Sequence, residues 1–93
     1  MAMEFEWDAR KATTNLTKHG VSFEEAATVF NDPLAAIFDD EAHSIEENRE
    51  IIIGHSNTNR LLLVSFTERS EQVRIISARR AMKREREDYE EKH

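Results

Sequence analysis

Between Leu34 and Ala78 the chain carries four extended apolar segments joined by little else. Leu34–Phe38, Arg49–His55, Arg60–Thr67 and Val73–Ala78 are rich in Ile, Leu, Val and Phe. Short polar connections such as Asn57-Thr58-Asn59 and Glu68–Gln72 separate them. A parallel neighbour needs a long crossover, and these connections are too short to supply one. The four segments are therefore predicted to form an antiparallel meander.

Before Pro33 the pattern is helical. Glu4–Trp7 alternates charged and aromatic residues as a short strand does. Asp8 then offers an N-cap oxygen to a first helix of about three turns, with Ala12 and Leu16 expected on its inner face and Arg10 on the solvent side. Gly20 suits the left-handed position that ends this helix. Ser22 and Glu25 make a capping box for a second helix, flanked by Val21 and Ala26 as a hydrophobic staple. Phe23, Ala26, Ala27 and Phe30 supply its buried stripe, and Asn31-Asp32-Pro33 stops it. From Arg80 to about Glu91 the chain turns helical again, with a thin stripe of Ala81 or Met82, Glu85 and Tyr89 that calls for a partner surface. The predicted class is α+β in a single domain spanning 1–93: a short N-terminal strand, two helices, a four-stranded antiparallel meander and a C-terminal helix.

A chain of 93 residues is near the lower limit for an adequate core, so it is expected to work in a complex. With no cysteine it has neither disulfides nor thiolate sites, and the reducing cytoplasm is the expected compartment. No apolar run is long enough to span a membrane, and the acidic N-terminus carries no signal-peptide pattern. The net charge is −6 but unevenly spread. Residues 1–54 hold 12 acids against 4 bases, 55–86 hold 3 against 8, and 87–93 hold 4 against 1. That distribution fits one basic face for phosphate and one acidic face for a basic partner, or ordinary solvated charge.

Several chemistries are disfavoured by spacing. His19, His43, His55 and His93 are scattered, with no pair at i, i+4 and no H-E-x-x-H, so no metal and no cofactor is expected. Two isolated glycines cannot form a phosphate-cradling loop, and no Ser stands in a G-x-S-x-G turn. The carboxylates of Asp39-Asp40-Glu41 and Glu46-Glu47 read as a solvated loop. What remains is arginine on strands: Arg69 after one strand, Arg74 within the next, and Arg79-Arg80 where VRIISARRA passes from strand to helix. A guanidinium fork binds phosphate bidentately and stabilises a phosphorane without moving a proton. On composition alone the same arginines read rather as a surface lattice with Glu68, Glu71, Glu85 and Glu87.

FEWDARKATTNLTKHGVSFEEAATVFNDP, then Glu47-x-Arg49 before IIIGHS, then RLLLVSFTER and RIISARRA together resemble the BrnT family of bacterial type II toxins, from about Glu4 to Tyr89. The resemblance implies a RelE-like fold, a ribonuclease that arrests translation by cleaving RNA, and a BrnA-type antitoxin in a hetero-oligomer that reaches operator DNA only through the antitoxin. The acidic net charge departs from the basic character common among RelE-like nucleases. Under this reading His19, in the KHG motif, is the candidate for proton transfer, and otherwise a helix cap. Glu68 is a base or merely the partner of Arg69, and Lys18 is a phosphate ligand or a solvated helix end. Arg49, Arg69, Arg74, Arg79 and Arg80 are expected at phosphate. The alternative is a non-catalytic module that keeps the fold and serves only as the co-repressor half of a DNA-bound complex.

Overall fold

The computed structural model describes residues 3–41 and 48–91. His43, Glu46, Glu47 and His93 lie outside the described residues. The elements run β1 (Glu4–Glu6), α1 (Ala9–His19), α2 (Phe23–Thr28), a 3₁₀ turn (Val29–Asn31), β2 (Ala36–Asp39), β3 (Glu50–His55), β4 (Leu61–Arg69), β5 (Gln72–Arg80) and α3 (Lys83–Glu91). β2 to β5 form the expected antiparallel meander, and β1 adds to it in parallel, so the sheet order is β1-β5-β4-β3-β2.

The helix ends follow the capping chemistry. Asp8 Oδ1 accepts from the N–H groups of Arg10 (2.8 Å) and Lys11 (3.0 Å). Ser22 Oγ accepts from Glu25 N–H at 3.0 Å. Gly20 takes the left-handed conformation (φ 70°) and donates its N–H to Leu16 O, so glycine rather than His19 closes α1.

Several boundaries differ from expectation. β4 and β5 run on to Arg69 and Arg80, meeting in a tight turn at Ser70 and Glu71 with Ser70 at φ 56°. Arg79 and Arg80 therefore belong to a strand, and α3 starts only at Lys83. Tertiary pairing explains the shift, because Leu62 and Leu63 of β4 stand opposite Arg80 and Arg79 and prolong the ladder.

Each face of the sheet has its own core. On one side Val21, Phe23, Ala26 and Val29 from the helical segment cover Ile52, Leu62, Val64, Phe66, Val73, Ile75 and Ala78. Phe30 stands edge-on to both Phe5 and Phe66 at centroid distances of 5.2 and 5.0 Å. On the other side α3 lays Tyr89 against Ile53, Leu61 and Leu63.

Leu16, expected inside, is 52% exposed, and Asn15 is the buried residue of α1. β1 pairs only with Gln72–Arg74, which leaves the outer edge of β5 open from Ile75 onward. Asn15 takes that edge: Nδ2 donates to Ala78 O (2.8 Å) and Ala78 N–H donates to Oδ1 (3.1 Å). α1 thus completes the sheet where β1 stops, and a polar residue at the contact replaces a leucine.

Candidate active site

Strand register divides the charges between the two ends of the sheet. At one end, where β3 finishes, β4 begins and β5 finishes, stand His55, Arg60, Arg79 and Arg80, with Lys18 and His19 at the end of α1. Arg60 lies beside this α1 terminus, donating to Gly20 O at 3.1 Å. At the opposite end stand Glu4, Asp39, Glu50, Glu68 and Glu71, with Arg69 among them. Burial, followed by the charges of Glu68 and Asp39, pushes the Glu50 carboxyl above its ordinary value. The acidic total is therefore compatible with a cationic end.

A groove of about 420 Å³ opens along the α1–β5 seam at the cationic side. Lys11, Thr14, Asn15 and Lys18 face it from successive turns of α1, with Arg10 and His19 beside them and Ile76 and Ser77 of β5 as its floor. Lys18 and His19, named from the sequence, share this groove. Arg10, expected away from any site, also lines it, and with Lys11 it makes the groove rich in cations. Among the described residues Asp8 is the only carboxylate in the lining, and its hydrogen bond from Lys11 N–H helps hold its pKa below the ordinary value.

Arg79 lies on the same face of β5 as the groove residue Ser77, two residues further along the strand, and is not itself part of the groove lining. Its fork is held by Glu85 of α3 through Nη1–Oε1 (2.8 Å) and Nη2–Oε2 (2.7 Å). Glu85 Oε1 also accepts Met82 N–H at 2.7 Å, capping α3. Hydrogen bonding to Arg79 lowers the Glu85 pKa against the effect of burial, and Glu85 raises that of Arg79. The lattice reading of the arginines therefore describes Arg79 as it stands, and Arg74, which pairs with Glu6 at 2.6 Å. Arg80 is exposed at the end of β5.

Glu68 and Arg69 are not brought to this place. Arg69 pairs with Gln72 at the far turn, six residues of β5 from Ala78, a separation of about 20 Å. Arg49 precedes β3 at the same far end, its carbonyl accepting from Asp40 N–H. These three residues cannot share one phosphate with His19.

Two polar clusters escaped sequence reasoning. Glu25 of α2 accepts from Arg60 Nε (2.9 Å) and Nη2, from Ser56 Oγ (2.7 Å) and from Thr58 Oγ1 (2.7 Å). The Arg60 hydrogen bond is the largest influence on its carboxyl, which is lowered to about 2. The capping-box glutamate is thus also the clamp on the β3–β4 turn. In the second cluster Asp32 Oδ2 accepts from His55 N–H (2.8 Å) and Tyr89 O–H (3.1 Å), and His55 Nδ1 lies 3.2 Å from the Tyr89 hydroxyl. Burial opposes ionisation of Asp32, but these bonds and one from Leu34 N–H outweigh it and lower its pKa. Gly54 permits the approach, since a Cβ there would lie 2.9 Å from Ala35 Cβ and 3.1 Å from Asp32 Oδ2. The sole sequence signal was Asp32 before Pro33, which reads as a helix stop.

Comparison with known proteins supplies the remaining finding. The family model for "Ribonuclease toxin, BrnT, of type II toxin-antitoxin system" matches residues 7–85. The fold is similar to the 1.1 Å crystal structure of the Brucella abortus ribonuclease toxin BrnT, with a TM-score of 0.68 and 27% identity over 88% of this chain and 100% of that one. No curated protein matches. No helix among the described residues is long and apolar enough to cross a membrane.

Proposed function

The chain belongs to the BrnT family of type II ribonuclease toxins, and from that premise we propose that it cleaves RNA in the α1–β5 groove without a metal ion. The observation that carries this reading is the presence of His19 and Lys18 in one groove with Arg10 and Lys11, at the cationic end of the sheet. The groove supplies what in-line attack of a ribose 2′-OH on its own phosphate needs. Lys18, Lys11 and Arg10 hold the backbone phosphates as point charges and fork. His19, half-buried at the groove's end, exchanges the proton with the 2′-OH or with the leaving 5′-oxygen. Arg79 stabilises the extra charge of the phosphorane once a phosphate oxygen replaces Glu85 in its fork. The products are a 2′,3′-cyclic phosphate and a 5′-hydroxyl end.

Membership of this family also implies an antitoxin partner. A BrnA-type antitoxin that covers α3 and the mouth of the groove would silence the toxin, and operator DNA would be reached through it alone. The test is cleavage of RNA by the purified toxin, with His19→Gln and Lys18→Ala as variants. Retained wild-type cleavage in a folded His19→Gln protein would remove His19 from the mechanism. A toxin that represses with its antitoxin but never cuts RNA would instead be a co-repressor module.

A further inference from the structure

The cationic end of the sheet carries a second concavity of different chemistry. It holds about 480 Å³ and is lined by Thr28, Asn31, Asp32, His55, Ser56 and Asn57. Among the described residues no Lys or Arg lines it, and its one fixed charge is the Asp32 carboxylate, which repels a phosphate group. Its walls instead offer amides, hydroxyls and an imidazole. Among the described residues the Asn31 amide has no partner, and Asn57 Oδ1 has only a long 3.4 Å contact from Thr28 Oγ1.

His55 is held in place from behind. The Tyr89 hydroxyl donates to Asp32, and its oxygen lies 3.2 Å from His55 Nδ1, so the imidazole is held through Nδ1 while Nε2 makes no hydrogen bond among the described residues. Tyr89 also stands edge-on to the imidazole at 5.3 Å and 76°. The imidazole is 37% exposed where it borders the cavity. A pinned aromatic ring beside exposed amides is the combination by which proteins recognise unstacked nucleobases, the ring stacking and the amides reading base edges.

We propose that this cavity is a nucleobase subsite that takes an adenine of the RNA whose phosphates occupy the α1–β5 groove. The proposal rests on the ribonuclease reading for its strand and on the cavity for its base. Adenine is the match because an Asn side chain pairs its carbonyl and amino groups with N6 and N7 of that base. The nearby Asp32 carboxylate further favours an amino-bearing edge over the carbonyl edges of uracil. β3 and β5 are two strand spacings apart, about 10 Å, a gap a short single strand can bridge.

Adenosine and uridine titrated separately into the full-length toxin, followed by NMR of the His55 imidazole, test the cavity directly. Adenosine should shift His55 and uridine should not. Oligonucleotides with A or U at each position around the cleaved bond should show a preference for A at one position, about tenfold in kcat/KM. In the Asn31→Ala/Asn57→Ala double variant that ratio should fall to about one, with circular dichroism unchanged. An unchanged ratio, or a His55 signal indifferent to adenosine in a toxin that cleaves RNA, overturns the subsite. A toxin that binds adenosine at His55 yet cuts no RNA overturns the ribonuclease reading and keeps the base-binding cavity.

Discussion

The side chain of Asn15 and the backbone of Ala78, 63 residues apart, exchange two hydrogen bonds as neighbouring strands do, and a third bond runs from Asn15 Nδ2 to Val21 O at 2.9 Å. One amide therefore seals the open edge of β5, fixes the α1–α2 corner and sets the width of the cationic groove. Asn15 is 6% exposed, so a replacement cannot call on water to satisfy the freed groups. Asn15→Ala should lower stability by about 2–4 kcal/mol. Asn15→Asp should cost at least as much near neutral pH, since a carboxylate would face two carbonyl oxygens. Urea denaturation of both variants measures this, and a loss below about 1 kcal/mol would show that the edge is held by other contacts.

Acid should unfold the protein in part through Glu25. Its carboxyl is lowered to about 2, first by the hydrogen bond from Arg60 and then by Ser56 and Thr58, against an ordinary value of 4.5. A depressed folded-state pKa gives stability that is complete above 4.5 and lost as pH falls toward 2. Screened by nearby solvent, the contribution is about 1–2 kcal/mol. Glu25→Gln should lose that stability at pH 7 and flatten the acid limb in this window. An acid limb of wild-type steepness in Glu25→Gln would assign acid unfolding to other carboxylates.

His19→Gln should reduce the rate of RNA cleavage by about 10²–10⁴ with little change in KM. Lys18→Ala and Arg10→Ala should instead raise KM and make the salt dependence of RNA binding shallower, as expected when a phosphate contact is removed. Equal effects on kcat and KM across all three would argue for a disturbed groove rather than for distinct roles.

Arg79 can act on phosphate or merely anchor α3 through Glu85, and two variants separate these. Arg79→Ala should slow cleavage by about 10²–10³. Glu85→Gln breaks the same ion pair but leaves the guanidinium in place, so its cleavage rate should stay near that of the wild type. If both variants lose activity equally, the anchoring role is the one that matters. Arg69→Ala, about 20 Å away along the hairpin, should cleave RNA normally.

EDTA should leave cleavage unchanged, with products that end in cyclic phosphate. Activity lost to EDTA and restored by Mg²⁺ would refute the histidine mechanism.

Met82, 60% exposed at the start of α3 and close to Arg79, is the apolar residue best placed for an antitoxin that must cover the arginines. Met82→Glu should weaken antitoxin binding at least about tenfold while leaving RNA cleavage intact. Undiminished affinity would move the interface to another face. Removing α3 outright is a poor test, since Tyr89 belongs to the second core.

Much of this protein was legible in its sequence because the forces concerned are local. The caps at Asp8, Ser22 and Gly20, the stop at Pro33 and the meander after it depend on residues a few positions apart, where side-chain oxygens, left-handed glycine and period-two apolar patterns act directly. Lys18 and His19 were likewise visible as a motif. What the sequence left open was decided by register. Only the pairing of Leu63 with Arg79 and of Arg69 with Gln72 puts Arg79 at one end of the sheet and sends Glu68 and Arg69 to the other. Only the shortness of β1 exposes the edge that Asn15 must fill, so that a helix patterned to bury Leu16 turns its amide inward. The Asp32, His55 and Tyr89 cluster joins the chain's helical, strand and C-terminal parts through contacts spanning up to 57 residues. No local pattern encodes such contacts, because they come into being only when the sheet has chosen its register and both its faces are covered.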